Sequence, residues 1–335
     1  MLPVIFGLAG PVLTPRERDF FREADPAGFI LFARNCSDKV QLRALTDHLR
    51  AISGRDDVPI LIDQEGGRVA RMKVPEWPEF PAAWRFAELY EKAPISAIEA
   101  ARVNAEAIAL VLAQAGINVD CTPLLDVRDE GTHDVIGDRA LGREPMQVAA
   151  LGRAVLEGLE AGGVVGIVKH VPGHGRARAD SHKELPVALA SDQELEKDLA
   201  PFRTLRDAPM AMTAHLLYPA WDEERPASLS PIVINDIIRG RIGFDGLLMS
   251  DDLVMGALTG PPGDRARRAI DAGCDIALYC SGILAENEEV AASLGEIGEA
   301  SAIRLQRAMA RTGRRGDPGD YERLAAKRDA LLSYV

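Results

Sequence analysis

Eight short apolar segments recur along this 335-residue chain, and longer stretches with helical periodicity separate them. The segments are PVIFGLAG (3–10), GFILF (28–32), VPILID (58–63), GINVDC (116–121), VVGIVKH (164–170), PMAMTAH (209–215), GLLMSDD (246–252) and CDIALYC (274–280). In stretches such as 38–52 and 96–115, Ala, Leu, Ile and Val return every three and four residues. Continuous apolar strands that alternate with helices indicate parallel strands buried on both faces. Eight such units predict a (β/α)8 barrel.

We expect residues 1–335 to form one domain, with closing helices from about residue 301 and a Gly/Pro turn at GRRGDPGD. The alternative is an open, doubly wound sheet. No GxGxxG motif follows the first strand, which favours the barrel over a dinucleotide-binding sheet.

Charge and composition narrow the classes of partner. A formal net charge of -12 argues against nucleic acid or an anionic membrane as a partner, because both attract basic surfaces. The four cysteines, Cys36, Cys121, Cys274 and Cys280, form no CxxC pair and are expected to be free thiols of a reducing compartment. The N-terminus has no basic region before its apolar residues, so it is interpreted as a strand and not as a signal peptide. A cytoplasmic monomer is therefore expected.

Charged and polar residues follow several strands at their carboxyl ends, where barrel enzymes build their active sites. These residues are Arg34, Asn35, Asp63, Lys169, His170, His215, Ser250, Asp251 and Asp252. Any strand is followed by polar residues where the chain reaches solvent. However, Asp, His, Lys or Arg occurs at five strand ends, which is more than solvation alone requires. The pattern predicts an active site at this end of the barrel.

The segment KHVPGHGRARADSH (169–182) holds three of the six histidines and admits three interpretations. His170, His174, His182 and Asp180 are possible zinc ligands, but their spacing matches no common zinc signature, and Lys169 adds a cation. PGHG resembles a phosphate-binding loop but lacks the GK[ST] ending. In an extended loop, Asp180 and His182 lie on one side, where a carboxylate orients an imidazole for acid/base catalysis. The two residues are alternatively a loop pair without a catalytic role.

An acid/base residue needs a partner, and Asp251 at the end of an apolar strand is a candidate nucleophile or cation stabiliser. Asp252 is expected to point to the opposite face. The alternative is that both aspartates cap the next helix, a role that Asp favours.

Several motifs resemble those of glycoside hydrolase family 3, in its bacterial β-N-acetylglucosaminidase branch. They are KHVPGHG…DSH, PASLSPIVINDIIRGRIGFDGLLMSDDLVMGAL, LIDQEGGRVARM, GFILFARN, VIGDRALG and MTAHLLYP, which appear in the expected order between residue 5 and about residue 285. Val171 departs from the commoner Phe, and RARA from the usual loop sequence. The resemblance implies a retaining enzyme that removes terminal β-linked N-acetylglucosamine from peptidoglycan-derived muropeptides, with no metal or organic cofactor.

The resemblance also implies a role for each matching residue. Asp251 corresponds to the nucleophile, and His182, assisted by Asp180, to the acid/base. The residues that correspond to sugar-binding positions are Asp63, Arg71, Arg139, Lys169 and His170. His215 is expected to be structural, and Glu65 and Arg68 are expected to form a local ion pair. The alternatives are a phosphorylase, a β-glycosidase of the same family for another sugar, a zinc hydrolase and a non-catalytic sugar-binding barrel.

Overall fold

Eight parallel strands close into a barrel in the computed structural model, which describes residues 1–179, 181, 184–313 and 319–334. Each strand pairs with the next along the chain, and the first pairs with the last. The strands are β1 Leu2–Gly7, β2 Pro26–Leu31, β3 Ile60–Ile62, β4 Val119–Asp120, β5 Val165–Val171, β6 Met210–Thr213, β7 Leu247–Asp252 and β8 Ile276–Tyr279. Each lies within or overlaps one of the eight apolar segments, so the (β/α)8 prediction is confirmed.

Helices surround the barrel. They are α1 Pro15–Ala24, α2 Lys39–Ser53, α3 Ala83–Lys92, α4 Pro94–Gln114, α5 Pro145–Ala161, α6 Asp192–Thr204, α7 Pro262–Ala272, α8 Leu284–Ser293, α9 Glu299–Met309 and α10 Asp320–Leu332. A π-helix, Val233–Ile242, takes the position between β6 and β7. Short 3₁₀ turns occur at Ala33–Asn35, Gly137–Arg139 and Ala227–Leu229.

The strands are apolar throughout because both of their faces are buried. Ile5 and Ile30 point into the barrel, where they pack with residues of the other strands. Phe6 and Phe29 are their neighbours in sequence, and they pack outward in the layer beneath the helices. Successive side chains of a strand point to opposite faces of the sheet. Because both faces are covered here, the strands lack the alternating polar residues of a sheet with one face in solvent.

Local signals place the helix ends. At the start of α1, the Thr14 hydroxyl accepts a hydrogen bond from the Glu17 N–H at 3.2 Å, and Glu17 accepts one from the Thr14 N–H at 2.8 Å. This reciprocal pair satisfies two N–H groups that have no partner within the helix. At the start of α2, the Asp38 side chain alone is the cap, and it accepts hydrogen bonds from the N–H groups of Val40 and Gln41.

Helices α9 and α10 follow the barrel in the chain. Helix α10 packs on α4, and Arg328 of α10 donates a buried hydrogen bond to Asn104 of α4 at 3.2 Å. Most of the predicted GRRGDPGD turn, residues 314–318, lies outside the described residues. Within the described ranges, no helix is both long and apolar enough to span a bilayer.

Candidate active site

A cavity of about 230 Å³ opens at the carboxyl ends of the strands. Six residues that the sequence predicted for the site line it together: Asp63, Arg71, Arg139, Lys169, His170 and Asp251. They come from loops after β3 and β4 and from the ends of β5 and β7, so no single stretch of chain could have shown their proximity. The volume lies below the range of about 300–1,000 Å³ that is usual for ligand pockets. It suits a small ligand and not a long chain.

Lys169 is the centre of an ionic network in the cavity wall. Its ammonium donates to Asp63 Oδ1 at 3.0 Å and to Glu65 Oε1 at 2.7 Å. Arg71 donates to the other oxygen of Asp63 at 3.0 Å, and Arg139 donates to both oxygens of Glu65 at 2.8 Å. Two carboxylates therefore share three cations, and one of the three N–H donors of Lys169 has no partner in this network.

Burial and pairing compete in setting the charges of this network. Burial alone would raise the pKa of Glu65, but Arg139 and Lys169 outweigh it and lower that pKa to about 2. Burial also opposes ionisation of Asp63, and the same balance with Lys169 and Arg71 holds its pKa below the ordinary value. The pKa of Lys169 is raised, since Glu65 and Asp63 outweigh its burial. Asp63, Glu65 and Lys169 are thus all charged at neutral pH.

The loop after β3 is held by a side chain that sequence reasoning did not single out. Gln64 accepts hydrogen bonds from the N–H groups of Arg71 and Met72, at 2.9 and 3.1 Å. It donates to the Met72 carbonyl at 2.9 Å, and its own N–H donates to Asp120 at the end of β4. These bonds tie Arg71 back onto the strand end and direct it towards Asp63.

His170 is oriented by a fully buried carboxylate. Its Nδ1 lies 2.8 Å from Asp126 Oδ2, and its backbone N–H donates to Asp126 Oδ1 at 3.2 Å. Burial opposes ionisation of Asp126, yet the neighbouring His170 lowers its pKa to about 2. An ionised Asp126 accepts a hydrogen bond from Nδ1–H, which leaves Nε2 of His170 for a ligand. The sequence analysis did not identify Asp126, although a carboxylate in the apolar run PLLDV was a signal.

Asp251 and Asp252 end β7 with different surroundings. Asp251 accepts a hydrogen bond from the Asp252 N–H at 2.8 Å. Burial works against its ionisation, but His170 and other nearby positive groups hold its pKa below the ordinary value. Burial raises the pKa of Asp252 to about 6. Of the two, Asp251 has the lower pKa and is the better suited to act as an ionised nucleophile.

Neither aspartate caps the next helix, so that alternative was wrong. Asp252 accepts hydrogen bonds from the N–H groups of Val254 and Cys280, at 3.0 and 3.2 Å. Helix α7 begins later, after Pro261. The carboxylate of Asp252 therefore holds the turn that follows β7 against the end of β8.

His215 is fully buried beneath this strand end. Its Nδ1 lies 2.6 Å from the Ser228 hydroxyl, and its Nε2 lies 2.9 Å from the Asp252 carbonyl. Because a carbonyl only accepts, Nε2 carries the proton, and Nδ1 accepts from Ser228. With both nitrogens engaged, His215 supports the backbone beside Asp251, as the sequence analysis expected of it.

Two predicted residues, Asp180 and His182, lie outside the described residues. Ser181 between them is described, and it is buried in the wall of the same cavity. Its carbonyl accepts a hydrogen bond from the Ala257 N–H at 3.2 Å.

The expected ion pair between Glu65 and Arg68 was wrong. Arg68 instead pairs with Asp138 at 2.7 Å, while Glu65 pairs with Arg139 and Lys169. Adjacent charges in a loop point in different directions here, because the glycines Gly66 and Gly67 adopt positive φ and turn the chain between them.

The histidines of KHVPGHG do not converge as metal ligands. The His170 and His174 rings meet edge to face, with centroids 5.6 Å apart, and His170 is bonded to Asp126. Over the part of the chain that the structure describes, no three His, Cys, Asp or Glu side chains are grouped to hold a metal ion.

The sequence of this chain is similar to those of known proteins. Residues 15–314 match the family model described as the glycosyl hydrolase family 3 N terminal domain. A Beta-hexosaminidase from Chromobacterium violaceum is 37% identical over 332 residues, which cover 98% of this chain and 91% of that one. A Beta-hexosaminidase from Aromatoleum aromaticum is 40% identical over 285 residues, with coverage of 83% and 79%.

Solved structures are similar over the whole fold. NagZ from Neisseria gonorrhoeae, in complex with N-trifluoroacetyl-D-glucosamine, superposes with a TM-score of 0.86 at 34% identity. The match covers 99% of this chain and 97% of that chain.

Proposed function

Because this chain belongs to glycosyl hydrolase family 3, we propose that it is an exo-acting, retaining β-N-acetylglucosaminidase. The observation that carries the proposal is one small cavity in which the carboxylate of Asp251 meets the ionic network around Lys169. The names of the relatives and the amino sugar bound in the gonococcal structure support the sugar.

The sugar ring is bound by groups whose remaining hydrogen-bonding capacity faces the cavity. Lys169 has a donor left after it pairs with Asp63 and Glu65, and His170 has Nε2 left after it pairs with Asp126. Carboxylates such as Asp63 accept hydrogen bonds from sugar hydroxyls, and the charged donors Arg71 and Arg139 bind sugar oxygens. These groups are rigidly paired with one another, so little ordering is required when the sugar binds.

The proposed reaction has two steps. Asp251 attacks the anomeric carbon, the bond from that carbon to the leaving oxygen breaks, and His182 gives its proton to that oxygen. A water molecule then attacks the anomeric carbon and passes a proton to His182, and Asp251 is released. Asp180 orients His182 throughout. The roles of His182 and Asp180 rest on the DSH spacing and the family resemblance.

The natural substrate is proposed to be a muropeptide fragment in which N-acetylglucosamine is linked to 1,6-anhydro-N-acetylmuramic acid. A cavity for one sugar fits removal of a terminal unit, and the low aromatic content of 5% argues against a stacking cleft for polysaccharides. A cytoplasmic location is part of this proposal. It is supported by four cysteines that are free in the structure.

The first test is substrate preference. The purified protein is expected to release chromophore from an aryl β-N-acetylglucosaminide far faster than from the matching β-glucoside, because the acetamido group distinguishes the two sugars. Product analysis with and without inorganic phosphate is expected to give free N-acetylglucosamine in both cases. Preference for the glucoside would overturn the sugar assignment, and formation of the sugar 1-phosphate would identify a phosphorylase.

The second test concerns the acid/base residue. His182→Ala is expected to lower kcat by about 10²-fold for an alkyl or sugar leaving group, which must be protonated as it departs. With a dinitrophenyl leaving group the first step needs little protonation, so the loss in kcat/KM is expected to be small. His48→Ala, on the outer helix α2, is the matched control. An equal loss for both leaving groups would contradict the assignment.

A further inference from the structure

His174 is a buried polar side chain that the proposed reaction does not use. It is 2% exposed, and neither of its ring nitrogens has a hydrogen-bond partner among the described residues. It also lines the same cavity as Asp251 and His170. Nearly all buried polar side chains in proteins are hydrogen-bonded, so two unpartnered nitrogens in the wall of an active site require an explanation.

The backbone around His174 is firmly held. The His174 N–H donates to Asp126 Oδ1 at 2.6 Å, and the Gly173 carbonyl accepts from the Tyr218 hydroxyl at 2.7 Å. A Cβ atom at Gly175 would lie only 1.8 Å from the Val127 carbonyl oxygen, so this glycine permits close contact between the two loops. The PGHG turn thus holds its histidine at a fixed place beside the cavity.

The ring is neutral and has both kinds of hydrogen-bonding group available. Burial, together with the positive charge of neighbouring His170, lowers the pKa of His174 to about 4. A neutral imidazole has one donor and one acceptor. Since His170 meets it only through an edge-to-face ring contact, neither group has a hydrogen-bond partner among residues 1–179, 181, 184–313 and 319–334.

We propose that His174 is a further substrate-binding residue, which exchanges hydrogen bonds with a hydroxyl group of the bound sugar; this inference rests on the proposed glycosidase function. A hydroxyl is both a donor and an acceptor, so it matches a neutral imidazole. Rotation about the Cβ–Cγ bond is soft in histidine, and it turns a nitrogen towards the cavity without moving the backbone. Binding of the sugar then supplies a hydrogen-bond partner for the His174 ring.

The surroundings favour a hydroxyl over an anionic group. A carboxylate or phosphate is best bound by charged donors, and a neutral imidazole offers a single N–H. The ionised Asp251 lies close enough to act electrostatically on the His174 ring and would repel an anion. A sugar hydroxyl has no charge, so it needs no charged donor and is not repelled by Asp251.

The test compares two substitutions on a set of substrates. His174→Phe keeps a flat ring against His170 but removes both hydrogen-bonding groups, and His174→Asn keeps a donor and an acceptor. For an aryl β-N-acetylglucosaminide, kcat/KM is expected to fall about tenfold in His174→Phe and less than threefold in His174→Asn. With the 3-deoxy, 4-deoxy and 6-deoxy analogues, one analogue is expected to be hydrolysed equally by wild type and His174→Phe, because the hydroxyl in question is already absent.

Controls separate this inference from folding and from the proposed function. His48→Phe is expected to behave as wild type, and thermal unfolding checks each variant. In the wild-type protein, addition of N-acetylglucosamine is expected to shift the imidazole ¹⁵N resonances of His174, a readout that needs no variant. Full activity of His174→Phe on every substrate, or an equal loss on all analogues, would overturn the role of His174. Absence of turnover by the wild type would instead contradict the proposed function.

Discussion

Replacement of Asp251 by alanine is expected to lower hydrolysis of an aryl β-N-acetylglucosaminide by about 10⁴-fold or more, because the glycosyl-enzyme can no longer form. The carboxylate stays ionised in its buried position, since His170 and other nearby positive groups outweigh the effect of burial on its pKa. Its loss removes the attacking group and leaves the sugar-binding network intact. The measurement is kcat for chromophore release, with binding of N-acetylglucosamine as a check that the cavity is preserved.

The neighbouring aspartate provides a matched control for this experiment. Asp252→Asn keeps the oxygen that accepts hydrogen bonds from the Val254 and Cys280 N–H groups, so it is expected to lower kcat by less than about tenfold. Azide is a small nucleophile that fits the space left in Asp251→Ala, and it is expected to restore turnover by direct attack, with an α-glycosyl azide as product. A variant without Asp251 that retains wild-type kcat would exclude it as the nucleophile.

Replacement of Lys169 by methionine is expected to reduce the free energy of unfolding by about 3 kcal/mol at pH 7. The substitution removes the ammonium that lies between the buried carboxylates of Asp63 and Glu65. This expected loss in free energy of unfolding lies at the lower end of the range for a broken buried ion pair, because Arg71 and Arg139 each remain bonded to one carboxylate. Denaturant unfolding measures it. Lys197→Met, which removes an exposed lysine 3.6 Å from Glu144, is expected to change stability by less than about 1 kcal/mol.

The destabilisation by Lys169→Met is expected to depend on pH in a defined direction. In the wild type, the pKa values of Asp63 and Glu65 lie below their ordinary values. Groups with lowered pKa add stability above the pKa of the unfolded chain, and this stability is lost as the pH falls through the folded value. Lys169 contributes to that lowering of the two pKa values. The difference in free energy of unfolding between Lys169→Met and wild type is therefore expected to be largest at pH 7 and to shrink from about pH 4.5 towards pH 2.

A second substitution tests whether the network is the cause. Glu65→Gln removes one of the two carboxylates, so the double variant is expected to lose less stability than the two single variants added together, by about 1 kcal/mol. Strict additivity, or a loss that does not change with pH, would show that Lys169 stabilises the fold by packing alone. Lys169→Met is also expected to raise KM for the aryl substrate, since its free ammonium donor is proposed to bind the sugar.

Strand positions were well predicted because a barrel strand is buried on both sides. Segments such as GFILF and the VVGIV part of VVGIVKH have no polar positions, and this is a strong signal of a parallel strand between two packed layers. Strand ends were predicted less well. The segments VPILID and GINVDC shorten to Ile60–Ile62 and Val119–Asp120. At the end of the first segment, Asp63 leaves the sheet ladder and lines the cavity.

Side-chain partners could not be predicted from sequence neighbours. Glu65 and Arg68 are three residues apart in the chain, yet each pairs with a group on another loop. Asp126 follows β4 and orients His170 of β5, a pairing that depends on how the two strand ends meet. Charged side chains pair with the oppositely charged groups that lie nearest in space. Loops at the barrel mouth bring together residues that are far apart in the chain.

The sequence alone determined the barrel, the family and the six described residues that share the cavity. Apolar periodicity and the order of the motifs can both be found by reading the residues along the chain, without knowing which residues meet in space. Only the tertiary structure decided which carboxylate pairs with which cation, and that the pKa is lowered for Asp251 and raised for Asp252. It also decided that, within the part of the chain that the structure describes, neither ring nitrogen of His174 has a hydrogen-bond partner beside the cavity. Burial, pKa and hydrogen bonding depend on every atom within a few ångströms, and those atoms are brought together only when the barrel closes.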